Sequence, residues 1–235
     1  MKEKERLFIE ILQEFQQAGA LDSLILIGSW CHYFYRIYFD NTPEIPAVRT
    51  LDLDFLVPPQ SKITNDVNLS DLLTELGFET SINYLSGLRK YIHPDLSVEF
   101  LISDRGRGSN KPYEIKKLHI NAQGLRFLNL LSSNLMTIQT GDLKVTLPEP
   151  AAYVLHKFII GRRRLKKEKE QKDLNSAKEI GEFLLDDPEQ RKKLRDIFNS
   201  LPKKWRDKIK TSVENISPEL YDFISSKTPV SLSHR

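Results

Sequence analysis

Residues 50–57 read TLDLDFLV, and the fold turns on the alternation in that stretch. Successive side chains of an extended strand point to opposite faces. Asp52 and Asp54 therefore share one face, while Leu51, Leu53, Phe55 and Val57 share the other. One face is wet and acidic; the other is core. Two neighbouring carboxylates repel one another, and a divalent cation compensates by taking a few carboxylate oxygens while keeping its other positions for phosphate oxygens and water. The alternation recurs in SVEFLIS, residues 97–103, where Val98, Phe100 and Ile102 point one way and Glu99 the other. Laid beside the first strand, Glu99 supplies a third carboxylate, enough for a two-cation arrangement suited to in-line phosphoryl chemistry.

Working outward, the short apolar run 24–27 ends in Gly28-Ser29 and is followed by the aromatic-rich segment 30–39. This reads as strand, tight turn and helix. Gly28 lets the backbone approach a ligand closely, and amide groups at such a helix start, with the Ser29 hydroxyl, suit the phosphates of a nucleotide. The dipeptide alone is a common way to start a helix, and an isolated Asp-x-Asp is usually an exposed strand face. The two together with Glu99 carry the reading. Arg49, just ahead of the acidic strand, and Lys90, on an expected neighbouring strand, are further candidates for contact with a triphosphate. Cys31 and His32 are adjacent, diverge by about 100° on a helix, and read as core rather than as metal ligands.

Further afield, Leu7, Phe8, Ile11, Leu12 and Phe15 lie on one stripe, predicting a helix over 3–17 that packs on a sheet. A second helix is expected over 69–76, behind an Asn68 or Ser70 cap and stopped by Gly77. Strands are expected at 78–84, 88–92 and 97–102, then around 126–131, 135–139 and 143–147. Residues 104–112 form a polar connector. After Pro148-Glu149-Pro150 the pattern turns helical, at 151–164, 174–185, 190–199 and 218–225. The fold class is therefore α+β: a mixed sheet flanked by helices over residues 1–148, then a mostly α-helical C-terminal domain over 149–235.

LILIGSW at 24–30, TLDLDFLV about two dozen residues later and SVEFL at 97–101 resemble, in order and spacing, the polymerase-β-like nucleotidyltransferase superfamily. More narrowly, GSWCHYFY, RTLDLDF, EPAAYVLHKF, the arginine run 162–164 and Lys172-Asp173 are similar to bacterial stand-alone nucleotidyltransferases related to AbiE-type abortive-infection toxins. The resemblance spans residues 20–185. It implies a nucleoside triphosphate substrate such as ATP, a Mg²⁺ (or Mn²⁺) cofactor held by Asp52, Asp54 and Glu99, and transfer of a nucleoside monophosphate to an acceptor. RNA or protein is the expected acceptor, with a toxin-like role and an antitoxin partner among the implications. A small antibiotic-type acceptor, or a nucleotide- or RNA-binding module without turnover, is the alternative; the last would be favoured by a Glu99 facing away from the two aspartates. In the toxin relatives a Lys and an Arg on one helix and a later Lys-Asp pair contribute to the site. The matching positions are Lys157, one of residues 162–164, Lys172 and Asp173. Arg164 lies two helical turns after Lys157 on the same face, provided the helix runs unbroken through Gly161. Asp173 precedes the apolar run Leu174, Ala177, Gly181 and Leu184, so it reads equally as a helix N-cap or a catalytic base.

Composition sets the surroundings. A single cysteine, Cys31, excludes an intramolecular disulfide and any cysteine-rich zinc site, and suits a reducing compartment such as the cytoplasm. No stretch approaches the roughly 20 apolar residues of a membrane span. The net charge of +3 is unevenly placed: residues 155–235 hold 20 Lys and Arg against 13 Asp and Glu, leaving 15 against 19 for residues 1–154. The basic half suits an anionic partner, RNA or a triphosphate.

Overall fold

The computed structural model describes residues 3–48, 50–57, 63, 65–104, 111–162 and 167–226, and the chain divides into two compact units, Met1–Glu149 and Pro150–Arg235. The first is built on a mixed sheet. Its strands are β1 (Ile25–Ile27), β2 (Asp52–Leu56), β3 (Glu79–Ile82), β4 (Arg89–Ile92), β5 (Ser97–Ser103), β6 (Tyr113–Ile115) and β7 (Ile120–Leu125). The order is β1-β2-β5-β4-β3, with β7 also pairing β5 and β6 pairing β7. The two acid-bearing strands β2 and β5 run parallel side by side, and the flanking pairs β1–β2 and β4–β5 are antiparallel.

Each sheet face has its own cover. On one face lie Leu53, Phe55, Val98 and Phe100, all buried, and helix α1 (Glu3–Gln17) lays Phe15 against Phe55 and Phe100 at ring-centroid distances of 5.5 and 6.5 Å. The stripe Leu7, Phe8, Ile11, Leu12 and Phe15 is buried as its spacing predicts. Helix α2 (Cys31–Tyr38) buries Cys31, His32, Phe34 and Tyr35, and the Tyr35 hydroxyl donates to the Pro148 carbonyl at 2.8 Å. Helix α3 (Leu69–Glu75) is capped by Asn68, whose side chain accepts from the Asp71 amide, and Gly77 follows at φ +86°.

The other face is covered at one end only. There Ile25, Ile27, Leu56 and Leu101 form a cluster with Leu128 and Leu131 of the short helix α4 (Leu128–Ser132). A hairpin of β8 (Leu135–Thr140) and β9 (Leu143–Pro148) completes the unit.

Three expectations need correcting. Leu51 is 53% exposed, because β2 begins at Asp52 and the strand alternation does not reach back to it. Residues 126–131 are helical where they enter α4, not a strand; Phe127, at φ +72°, turns the chain into the helix, and the strand is β7, one segment earlier. The expected helix through residue 164 ends sooner, as described next.

The second unit is helical: α5 (Pro150–Gly161), α6 (Lys167–Asp186), α7 (Pro188–Ser200), α8 (Lys203–Val213) and α9 (Pro218–Ser225). Helix α5 is apolar and buried all round, which suits the central element of a bundle, and it packs against α6, α7 and α8. It stops at Gly161, so the unbroken helix that would align Arg164 with Lys157 is not formed; Arg164 itself lies outside the described residues, as does Arg49. Among the described residues no helix is long and apolar enough to cross a membrane.

Candidate active site

The pairing register brings the predicted acids together. Across the parallel pair, Asp52 stands beside Ser97 and Asp54 beside Glu99; across the antiparallel pair β1–β2, Asp54 stands beside Ile27. On the other side of β5, Tyr91 pairs with Val98, which sets Lys90 one position along, opposite Glu99. Asp54, Glu99 and Lys90 therefore form a row across three strands, on the sheet face that α4 leaves uncovered at this end.

Lys90 ends that row and reaches back over the acids. Its Nζ lies 2.6 Å from Glu99 Oε1 and 3.2 Å from Asp52 Oδ1, and the Ser97 hydroxyl donates to the same Asp52 oxygen at 3.1 Å. The side chains of Lys90, Asp52 and Glu99 are 32%, 43% and 26% exposed, half-sunk on an open surface. Partial burial works against the charge on Lys90, but hydrogen bonding and attraction from Glu99, then from Asp52, outweigh it and hold the ammonium above the ordinary lysine pKa. Glu99 thus faces the same way as the two aspartates, the opposite of the arrangement set as the mark of a non-catalytic module.

Gly28 closes the site from β1. It opens a short 3₁₀ turn, Gly28–Trp30, at φ +75°, a conformation favouring glycine, and a Cβ placed there would stand 2.7 Å from Asp54 Oδ2. The strand–turn–helix read from LILIGSW is present, with the turn 3₁₀ before α2 begins. Ser29 lies within it, half-buried.

The remaining candidates belong to the helical unit. Lys157 on α5 and Asp173 on α6 form a buried pair, Nζ to Oδ1 at 2.5 Å, with side chains 7% and 9% exposed. Asp173 lies inside α6, which starts at Lys167, so the N-cap reading is excluded by position. Lys172, one residue before it, is exposed. Sequence reasoning missed Ser97; its signal was the alternation itself, which puts residue 97 on the face of Glu99. Lys90 was noted only as a triphosphate contact, whereas in the structure it pairs with the acids themselves.

The donor set also fits the cofactor implied by the resemblance. Among the described residues no three His, Cys, Asp or Glu side chains are grouped as a ready metal site. The donors of the row are nonetheless hard carboxylate oxygens of the kind Mg²⁺ takes, and the ammonium drawn between two of them marks a place built for positive charge.

The first unit is thus an α+β fold, a mixed sheet with an acidic row at one open end, bordered by a glycine turn that leads into a helix. The chain belongs to a nucleotidyltransferase family, whose model matches residues 6–201 and so runs through both units. It is accordingly a nucleotidyltransferase, acting with a nucleoside triphosphate. No curated protein matches it. Among solved structures, an antigenic nucleotidyltransferase-like protein from Paracoccidioides brasiliensis is 16% identical, with a TM-score of 0.44 over 89% of this chain and 93% of that one. A tRNA nucleotidyltransferase complexed with a primer tRNA and an incoming ATP analog is 13% identical, with a TM-score of 0.26, covering 94% of this chain and 64% of that one. Neither likeness is close enough to lend a residue or a substrate.

Proposed function

We propose that the row Asp52, Asp54, Glu99 and Lys90, bordered by Gly28-Ser29, is the catalytic centre, and that it transfers a nucleoside monophosphate from a triphosphate to a hydroxyl of a macromolecular acceptor, RNA foremost. In that reaction the acceptor hydroxyl gives its proton to a base or to solvent, its oxygen forms a bond to the α-phosphorus, the bond from α-phosphorus to the bridging oxygen breaks, and pyrophosphate leaves. A divalent cation held by Asp52, Asp54 and Glu99 would supply neutralisation of the triphosphate and of the charge that develops in the transition state.

The chain's own residues account for the rest. Gly28, lacking a side chain, leaves the turn open to phosphate oxygens beside Asp54, with the Ser29 hydroxyl as one donor. Lys90 offsets part of the charge of Asp52 and Glu99 at rest, and a divalent cation held by the acids would leave its ammonium to the anionic triphosphate. The two units correspond, in this reading, to a catalytic domain and a helical domain, the second carrying the acceptor. We place Lys157 and Asp173 there as the joint between α5 and α6; a direct part for Asp173 in proton transfer is the reading that the variants below separate from it. Nucleotidylation of a cellular RNA would arrest growth, and a toxin-like role would appear as arrest on expression, relieved by Asp54→Asn.

The observation that carries this reading is the in-register pairing of Asp54 with Glu99, with Lys90 drawn into the same row. The test incubates the protein with each radiolabelled triphosphate, Mg²⁺ and total RNA or lysate. Label in RNA, dependent on added metal and lost with Asp54→Asn, supports it; label transferred equally by Asp54→Asn ends it.

A further inference from the structure

The charge of the helical unit is concentrated rather than spread. Residues 188–213, which make up α7, α8 and their connection, hold nine Lys and Arg against three Asp and Glu, and the other basic run is 162–172 with seven against two. Between these helices and α9 lies an open groove of about 1230 Å³. Its basic lining comes as two stripes. Arg191 and Arg195 are one helical turn apart on α7, with Lys192 beside them, while Lys203, Arg206 and Lys210 follow one another at helical spacing on α8.

The two arginines are held in a way that leaves their charge unanswered. Both stack on the ring of Phe223 in α9, Arg191 at 5.2 Å and Arg195 at 4.0 Å. Arg195 also donates to the carbonyl and hydroxyl of Ser226, at 2.7 and 3.1 Å, which fixes its orientation. Among the described residues neither arginine has a carboxylate within ion-pair distance. Burial, and then the charge of Arg191, pulls Arg195 below the ordinary arginine pKa. Four carboxylates also line the groove, but Asp207 is paired with Lys203 and Glu189 with Lys193. Two guanidiniums stacked on one ring and repelling each other are a place for an anion.

We propose that the groove between α7, α8 and α9 binds the phosphate backbone of RNA. The chemistry of the lining favours nucleic acid over an acidic protein. Protein interfaces are built on exposed apolar anchors and are depleted of lysine, whereas this surface is rich in lysine and its apolar members Phe198, Phe223 and Ile224 are buried. RNA binding here stands on the groove alone. Its role in presenting the acceptor rests on the nucleotidyl transfer proposed above.

The test uses the full chain and a short fluorescent single-stranded RNA, followed by anisotropy across a salt series. Wild type binds at low salt. Arg191→Glu/Arg195→Glu weakens binding at least about tenfold and lowers the slope of log affinity against log salt by about 1.4, roughly 0.7 for each lost phosphate contact on a single strand. Lys192→Glu/Lys203→Glu, on exposed side chains, gives a loss of the same kind and guards against misfolding of the first pair, which thermal melts check. Lys116→Glu/Lys144→Glu makes the same change of net charge on the first unit and leaves affinity unaltered. Equal losses in all three double variants, absence of RNA binding at low salt, or competition by polyglutamate as effective as by RNA would each overturn the assignment. Calorimetry with Mg²⁺-triphosphate on the same proteins keeps the two readings apart. Failure of triphosphate binding in wild type sinks the catalytic proposal and leaves the groove standing, while loss of RNA affinity with triphosphate affinity intact places the defect in the groove.

Discussion

The two units each contain a lysine between helices or strands that meets a carboxylate, and the two are built to opposite ends. Lys157 and Asp173 face each other at 2.5 Å, almost sealed from water. Lys90 is half-exposed and serves two acids, Asp52 and Glu99, with Asp54 next in the row. A buried charge that loses its ion-pair partner is left in low dielectric, so such a pair resists exchange. A cation that is outnumbered by acids and open to solvent is replaceable by another cation. The first arrangement suits a joint and the second a binding site.

The largest effect tests the site end of that contrast. Asp52→Asn and Asp54→Asn should each lower nucleotidyl transfer on the order of a thousandfold, since charge stabilisation by a bound cation is worth several kcal/mol of such a barrier. Relief of like charges alone would predict a more stable apo protein. Because Lys90 already offsets the charge of Asp52, Asp52→Asn should instead leave the unfolding free energy from urea titration nearly unchanged, within about 0.5 kcal/mol. Transfer near the wild-type level in either variant would remove these residues from the metal site, and severe unfolding would make them structural.

The joint end predicts a different pattern. Lys157→Met should cost about 3–5 kcal/mol of unfolding free energy, the range for breaking a buried pair, and adding Asp173→Asn in the same chain should recover much of it. For the single variant Asp173→Asn, transfer and stability are measured side by side. A drop in stability with transfer per folded molecule preserved fits the joint; intact stability with transfer abolished would make Asp173 the base and erase the contrast.

Lys90→Met sharpens the comparison with a smaller shift. The apo protein should lose about 0.2–1 kcal/mol for each exposed pair removed, and Mg²⁺ should restore the melting temperature, because the cation then meets three acids without a competitor. Electron paramagnetic resonance of Mn²⁺ should show several-fold tighter binding than in wild type. Unchanged or weaker Mn²⁺ binding would show that Lys90 does not stand in the cation's place.

The smallest effect is in the pH dependence of that difference. Lys90 has a folded pKa raised above its unfolded value near 10.4, so its contribution is full below about pH 10.4 and is lost as pH rises through the folded value. The stability gap between wild type and Lys90→Met should therefore be flat from about pH 7 to 9 and shrink only in the alkaline range. A gap that closes near neutrality would assign it to another group.

Much of this was legible in the sequence, for reasons of period. The acids were readable because they alternate with buried apolar residues over Asp52–Phe55 and Val98–Phe100, and α1 because its stripe is clean. Their neighbourhood was not. Which strand lies beside which is decided by long-range pairing, so Lys90 could be placed near the site but not between two of its acids. Helix α8 went unread because Trp205, Ile209 and Val213 recur every fourth residue among charges too dense to reveal the period. β7, with Asn121, Ala122 and Gly124, has little strand propensity of its own and is held by β5 and β6. In the helical unit, the placement of Asp173 depended on where α6 starts, and charged residues 167–172 gave no apolar stripe to mark it.

The parallel register between β2 and β5 has one more consequence. Asp54 stands beside Glu99, and one step further along Phe55 stands beside Phe100, ring stacked near ring on the reverse face. Loss of Ser97 or Val98 alone, with the rest of the strand kept in register, would swing Glu99 and Phe100 through to opposite sides, sending an aromatic ring into water and a charge under α1. The penalty for such a slip falls on folding before it reaches chemistry. A one-residue deletion there is thus lost as unfolded protein, whereas a substitution at Glu99 can leave a defective enzyme of normal shape.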